Sequence, residues 1–267
     1  MLTEPMLAAL WPHAADGLIA GMAAASQTVF AAAGLTSSTA IAQAMAQFSH
    51  ECAAGTALVE NLDYSSAGLR ATWPSRFTPD TAAQYARQPE KIANKVYDGR
   101  NGNRPGTEDG WTYRGRGGIQ VTGRGNYDRL GTGLGLGLVA NPDLVTQPDH
   151  FLACAVRQFV LCGCLPFALA DDLRGVTYHV NGGYNGLDQR AAWLGRWKAA
   201  LAGPAAVPHG TVWLQTRLNA LGAAPPVQVD GDFGPATLAA LRAFQSTHRL
   251  EPDGKLGPLT TQALEAA

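Results

Sequence analysis

The stretch Tyr113-Arg-Gly-Arg-Gly-Gly-Ile-Gln-Val-Thr-Gly-Arg-Gly-Asn-Tyr127 decides how the chain is read. It is glycine-rich, and its run Ile119-Gln-Val121 reads as a short strand. Glycines with arginines could cradle a phosphate, but the segment matches neither the P-loop pattern nor G-x-G-x-x-G opening a helix. Alternation along a strand places Gln120 and Thr122 on one face, with Asn126 at the exit. Amides and a hydroxyl on one face suit sugar hydroxyls and N-acetyl groups. The plainer alternative is a glycine-rich hairpin carrying incidental polar side chains.

Almost everything around this strand reads as helix. Ser37-Ser38 caps a helix from about Thr39 to Cys52, with Ile41, Met45 and Phe48 on one side. Pro89 opens Glu90–Tyr97, and Asp149 is expected to cap an apolar helix, Phe151–Leu161. Leu187–Leu201 is amphipathic through Trp193, Leu194 and Trp197. Gly17–Leu35 is apolar but interrupted by Ser26, Gln27 and Thr28, so it reads as an alanine-rich core helix and not a membrane span. The chain holds 46 alanines, which favours closely packed helices. The expected fold class is mainly α: an α+β unit with a very small sheet, followed by a small helical module.

The segment 202–210, Ala-Gly-Pro-Ala-Ala-Val-Pro-His-Gly, reads as a linker between a domain over 1–201 and a module over 211–267. The module carries an internal repeat. Asp230-Gly-Asp-Phe-Gly-Pro-Ala-Thr-Leu-Ala-Ala-Leu241 matches Asp253-Gly-Lys-Leu-Gly-Pro-Leu-Thr-Thr-Gln-Ala-Leu264. Asp-Gly makes a turn, and Gly-Pro sets Pro235 and Pro258 at the first helical position. With the stripe Leu214, Leu218 and Leu221, this predicts three helices. A calcium loop is rejected, because the position that should hold its Glu is Leu241.

Two acids stand out. His50-Glu51 closes the Thr39–Cys52 helix, and a zinc protease would need a second His at position 54, which is Ala. Glu51 is therefore either a solvated helix end or a functional acid. In a continuous helix Glu60 would lie about 13.5 Å further along, too far for the roughly 6.5–9.5 Å between the carboxyls of an inverting glycosidase. Gly55 lies between them and can end the helix, letting the chain double back. Further on, Asn181-Gly-Gly-Tyr-Asn-Gly186 is a turn or a polar loop.

Taken in order, His50-Glu51, Glu60, the segment Tyr113–Tyr127 and Asn181–Gly186 resemble glycoside hydrolase family 19 over about residues 15–201. The likeness is to the lysozyme-like endolysins of bacteriophages in that family more than to plant chitinases. The repeat resembles the peptidoglycan-binding module of cell-wall hydrolases. The resemblance implies that Glu51 is the general acid and Glu60 the general base of an inverting hydrolysis of β-1,4 bonds. Thr122 would help hold the water. It implies substrate contacts by His50, Tyr113, Gln120, Asn126 and Asn181, and an arginine, Arg190, near the second Glu. Cys52 stands where Thr or Ser is common, and Gly125 replaces an aromatic of the chitinases. The acid is expected to gain its proton by desolvation at an apolar helix end, and the base to stay ionised in a hydrogen-bonded setting. The implied partner is the peptidoglycan glycan strand, bound by a monomer that needs no metal or cofactor. Chitin hydrolysis and non-catalytic wall binding are the alternatives.

Charge and cysteines bound the rest. Twenty Lys and Arg against 21 Asp and Glu give a net charge of −1, which argues against a nucleic-acid binder. Neither part carries a cationic excess, so wall targeting falls to contacts of the C-terminal module. Cys52, Cys154, Cys162 and Cys164 form no zinc pattern and read as buried free thiols. The N-terminus Met-Leu-Thr-Glu-Pro shows no export signal. A lysin of this kind would wait in the host cytoplasm until a holin opened the membrane.

Overall fold

The computed structural model describes residues 1–202 and 210–266. The expected linker falls largely on 203–209, outside the described residues. Contacts divide the chain into two compact units, Met1–Leu201 and Ala202–Ala267. The first holds α1 (Glu4–Leu10), α2 (Leu18–Ala32), α3 (Ser38–Glu51), α4 (Ser66–Thr72), α5 (Pro79–Tyr85), α6 (Pro89–Val96), α7 (Asp109–Thr112), α8 (Arg124–Leu134), α9 (Pro148–Leu161), α10 (Leu165–Leu169), α11 (Leu173–Asn181) and α12 (Leu187–Leu201). The second holds α13 (Gly210–Ala220), α14 (Pro235–Thr247) and α15 (Pro258–Ala266). The fold class is the mainly helical one expected. Among the described residues no helix is long and apolar enough to cross a membrane.

Helix α3 is the axis of the first unit. The Ser37 hydroxyl accepts from the Ala40 amide at 3.1 Å and starts it. Every residue from Ala40 to Ser49 is buried, so the helix is enclosed on all sides. It packs chiefly against α12. Two tryptophans lock its last turn: the indole nitrogens of Trp11 and Trp197 donate to the Ser49 hydroxyl at 2.9 and 2.8 Å. That hydroxyl donates to the Met45 carbonyl, so all its hydrogen-bonding capacity is used. The backbone immediately before His50 and Glu51 is thereby pinned from two sides.

The alanine-rich α2 lies against α9, and the small residues are what permits it. A β-carbon on Gly21 would sit 2.3 Å from the Pro148 carbonyl oxygen. Helix α9 itself starts one turn earlier than expected. Pro148 takes its first position, and Asp149 is not its cap but lies in the first turn, where a carboxylate faces the positive end of the helix dipole.

The sheet shrinks to two antiparallel bridges, Val59 with Arg116 and Arg116 with Val121. The expected strand Ile119–Val121 does not form: residues 117–120 make the turn between the two bridged positions. Gln120 takes a left-handed φ of 49°. Its alternation with Thr122 therefore fails as an argument for a shared strand face. Arg116, 3% exposed, holds this hairpin by donating to Asp143 and to the Thr112 and Arg114 carbonyls.

A separate apolar cluster of Leu62, Leu69, Phe77, Ile92 and Val96, edged by Trp73, Tyr85, Tyr97 and Trp111, joins α4, α5, α6 and α7. It positions the C-terminal end of α6 against the hairpin.

The second unit is a three-helix module built on its repeat. Gln215 donates to Asp230, the Asp232 carbonyl and Thr237, and accepts from the Gly231 amide. Gln245 makes the same set with Asp253, the Lys255 carbonyl, Thr260 and the Gly254 amide. Each repeat is thus an Asp-Gly turn stitched to the preceding helix by one buried glutamine. That role was not read from the repeat, because the glutamines lie upstream of it. The Gln215 amide holds the Asp230 carboxyl below its ordinary range, and the Lys255 backbone amide, then Gln245, does the same for Asp253.

Candidate active site

Glu51 is the last residue of α3, with Cys52 as its C-cap. Ala53, Ala54 and Gly55 then take φ values of 46°, 53° and 83° in succession. Three left-handed residues reverse the chain, and the two alanines do so against their preference. The segment Leu58–Glu60 next pairs with the hairpin: Gly117 donates to the Leu58 carbonyl at 2.8 Å, and Glu60 to the Gly115 carbonyl at 2.9 Å. The helix ends before Gly55, and a tight reversal leads from one acid to the strand-like segment carrying the other.

The two carboxylates are held by different frameworks. Glu51 Oε1 accepts from Arg190 Nη2. Arg190 Nη1 donates to Gln47 Oε1, and Nε donates to the Asn185 carbonyl at 3.2 Å. Arg190 is 2% exposed, while the Glu51 side chain is 20% exposed. The arginine expected near the second Glu thus belongs to the first. The helix end is consequently not the purely apolar setting expected for the acid, because a buried cation stands against it. Arg190 engages one carboxylate oxygen and leaves Oε2 without a partner among the described residues.

His50 sits beside this pair, its ring against Gly186 of the 181–186 loop; a β-carbon there would lie 2.5 Å from the imidazole. Burial first, then the Arg190 guanidinium, hold His50 below its ordinary value, with Glu51 opposing. Both influences favour the neutral ring. Asn181 closes the loop by donating to the Asn185 carbonyl at 3.2 Å. Cys52, beside the acid in sequence, is buried, donates to the Phe48 carbonyl, and is pushed up to about 12 by burial. A thiol so buried is no nucleophile at neutral pH.

Glu60 stands in the hydrogen-bonded setting expected of it. Its Oε1 accepts from the Tyr97 hydroxyl at 2.6 Å and its Oε2 from the Gly115 amide at 3.2 Å. A β-carbon at position 115 would meet Gln120 Oε1 at 2.8 Å and Glu60 Oε2 at 3.2 Å, so glycine lets the backbone approach the carboxylate. Gln120 is fixed by bonds to the Ala57 and Gly117 carbonyls. Thr122 donates to the Gln120 carbonyl, and Asn126 to the Thr122 carbonyl. Gln120, Thr122 and Asn126 therefore gather on the Glu60 side of the site, and His50, Asn181 and Arg190 on the Glu51 side. Tyr113 joins neither group. It is 5% exposed, packs on Tyr127 and donates to the Val139 carbonyl. A substrate-contacting role for it is corrected to a core role.

Tyr97 and Gln47 were not singled out in the sequence. Gln43, Gln47 and Glu51 share one face of a buried helix at i, i+4 spacing, and that polar stripe was the available signal for Gln47. Tyr97 had none beyond closing a helix. Burial, then the Glu60 carboxylate, push its hydroxyl well above the ordinary phenol range, so it remains a donor. Tyr97→Phe is expected to lower kcat about tenfold, the scale of one hydrogen bond to a charged group, with KM unchanged. The ring stays in its apolar cluster, so thermal unfolding should move little; an unchanged kcat would remove Tyr97 from the machinery.

Comparison with known proteins defines the class. Residues 13–157 match the family described as chitinase class I, and residues 210–264 match the peptidoglycan binding domain. A glycosyl hydrolase family 19 domain-containing protein of Haemophilus influenzae is 36% identical over 194 residues, 71% of this chain and 92% of that protein. Chitinase 8 of Oryza sativa subsp. japonica is 62% identical over 34 residues, 13% of each chain. The solved chitinase C of Streptomyces griseus is similar with a TM-score of 0.46 and 18% identity, covering 75% of this chain and 92% of that one. The chain belongs to glycoside hydrolase family 19, a family of glycosidases, and carries a C-terminal peptidoglycan-binding domain.

Proposed function

We propose that the protein is an endolysin-type muralytic hydrolase, cutting β-1,4 bonds of peptidoglycan with inversion. One observation carries the mechanism: two carboxylates held in unlike settings, Glu51 on a buried guanidinium and Glu60 between a tyrosine hydroxyl and a backbone amide. Unlike settings let two carboxyls divide acid and base work; which of them is the acid is taken from the resemblance to family 19, not from the guanidinium. Glu51 delivers a proton from its unengaged Oε2 to the leaving glycosidic oxygen. Glu60 takes a proton from water as that water attacks the opposite face of the sugar, and Thr122, joined to Gln120 beside it, helps place the water. The bond between the anomeric carbon and the leaving oxygen breaks, and both protons are accounted for.

The substrate reading rests on the second domain. A peptidoglycan-binding domain on a family 19 glycosidase favours the wall glycan over chitin. Endolysin delivery through a membrane hole opened by a holin, action as a monomer, and a domain division at about 202–210 belong to the same proposal. The protein should release muropeptides from purified sacculi, with mass spectrometry of the new sugar ends identifying the bond cut. Turnover of colloidal chitin without turnover of sacculi would replace this reading with the chitinase one.

A further inference from the structure

A polar cavity lies in the first unit, built by the small apolar cluster and not by the two acids. It has a volume of about 480 Å³ and is lined by Arg76, Tyr85, Lys91, Asn94, Lys95 and Asp98, with Gly106 and Thr107 at its edge. Lys91, Asn94 and Lys95 share one face of α6 at i, i+3 and i+4 spacing. None of Arg76, Lys91 and Lys95 is in an ion pair among the described residues. The Lys95 ammonium is placed by two rings, 5.1 Å from the centre of Tyr85 and 5.7 Å from that of Phe77. The Asn94 side-chain oxygen accepts from the Trp111 amide at 2.7 Å, which leaves its NH2 as a free donor. Asp98, the one acid here, spends Oδ1 on the Gly106 amide.

Three unpaired cations against one acid is a local excess in a chain whose net charge is −1. A neutral polymer of N-acetylglucosamine offers nothing for them. Peptidoglycan does, because its sugars carry peptide stems with free carboxylates and an amine on the third residue. We propose that this cavity is a subsite for those stems, taking their carboxylates on Arg76, Lys91 and Lys95 and their amine on Asp98. The mixed signs favour a zwitterionic peptide over a phosphate polymer. The proposal rests on the muralytic reading and adds to it the part of the substrate that distinguishes peptidoglycan from chitin. The placement is coherent, because α6 serves both sites. Lys91 and Lys95 line the cavity, and the C-cap Tyr97 holds Glu60. A four-residue stem spans about 13 Å when extended, so the cavity need not adjoin the cleaved bond.

The test compares full-length protein with an Arg76→Gln/Lys91→Gln variant, both exposed positions without structural partners; Lys95 is kept for its ring contacts. A free stem tetrapeptide is titrated by calorimetry, with glycerol phosphate as a control. Hydrolysis is followed on uncrosslinked glycan strands before and after an amidase strips their peptides. The wild type should bind the tetrapeptide, less tightly at high salt, and the variant at least fivefold more weakly. The variant should show a KM about fivefold higher on peptide-bearing strands, with kcat retained and stripped strands cut as by the wild type. Failure of the wild type to bind the tetrapeptide, equal binding by the variant, preference for glycerol phosphate, or equal losses on both strand types would each overturn the subsite. If the wild type cuts chitin alone, the muralytic reading fails, while the tetrapeptide titration still decides the cavity.

Discussion

Glu51→Gln is expected to lower kcat about a thousandfold, within the range that general acid catalysis contributes, while the protein remains folded. Glutamine keeps the shape of the side chain, and its oxygen can still accept from Arg190 Nη2. What it lacks is a proton to give. The loss should therefore appear equally on peptidoglycan and on chitin oligomers, whichever the enzyme prefers. Reducing-end release reads the rate, and near-ultraviolet circular dichroism reads the packing around Trp11 and Trp197, which clasp Ser49 two residues upstream. Some stability is lost, because the buried guanidinium keeps a hydrogen bond but loses its counter-charge. Wild-type turnover by this variant would falsify the acid assignment.

Glu51 could be nominated from the sequence to the extent that chemistry follows local order. The helix ends were readable because caps and prolines act locally: Ser37 starts α3, and Pro89 and Pro235 stand in the first turns of α6 and α14. The Asp-Gly turns of the module were readable for the same reason. The hairpin was not. Three alternating residues are too few to fix a strand, and Gln120 takes its left-handed φ within a turn tied to Leu58, far away in sequence. Tyr113 misled because motif membership says nothing about which way a side chain faces. Arg190 misled because its partners, Gln47 and Glu51, lie some 140 positions upstream, and no local pattern encodes such a pairing. A separation of 37 positions likewise hides Tyr97 from Glu60. The candidate acids could be nominated from the sequence, but the bonds that hold them emerged only from packing.

Arg190 is where that positioning carries its largest expected effect. All three of its nitrogens are engaged, one each to Asn185, Gln47 and Glu51. It thus ties α12 to α3 and to the 181–186 loop that touches His50. Arg190→Met keeps the aliphatic stem but strands the Glu51 carboxylate and the Gln47 oxygen. Removing one partner of a buried pair costs about 3–5 kcal/mol; the partial exposure of Glu51 places this site at the lower end, about 3 kcal/mol. For a unit of this size that is roughly 6–12 °C in Tm. Activity should fall more than about a hundredfold, because an unheld Glu51 loses the sub-ångström placement that proton delivery requires. Lysine should not rescue it, since one ammonium cannot reproduce three bonds in a fixed fork. The pairwise origin of the effect can be isolated: Arg190→Met should cost less stability in a Glu51→Gln background than in the wild type, because part of the interaction is already gone. Additive losses would assign Arg190 to Gln47 and the loop rather than to the acid. An Arg190→Lys protein with wild-type rate and Tm would show that a positive charge alone suffices there, and that the fork geometry does not matter.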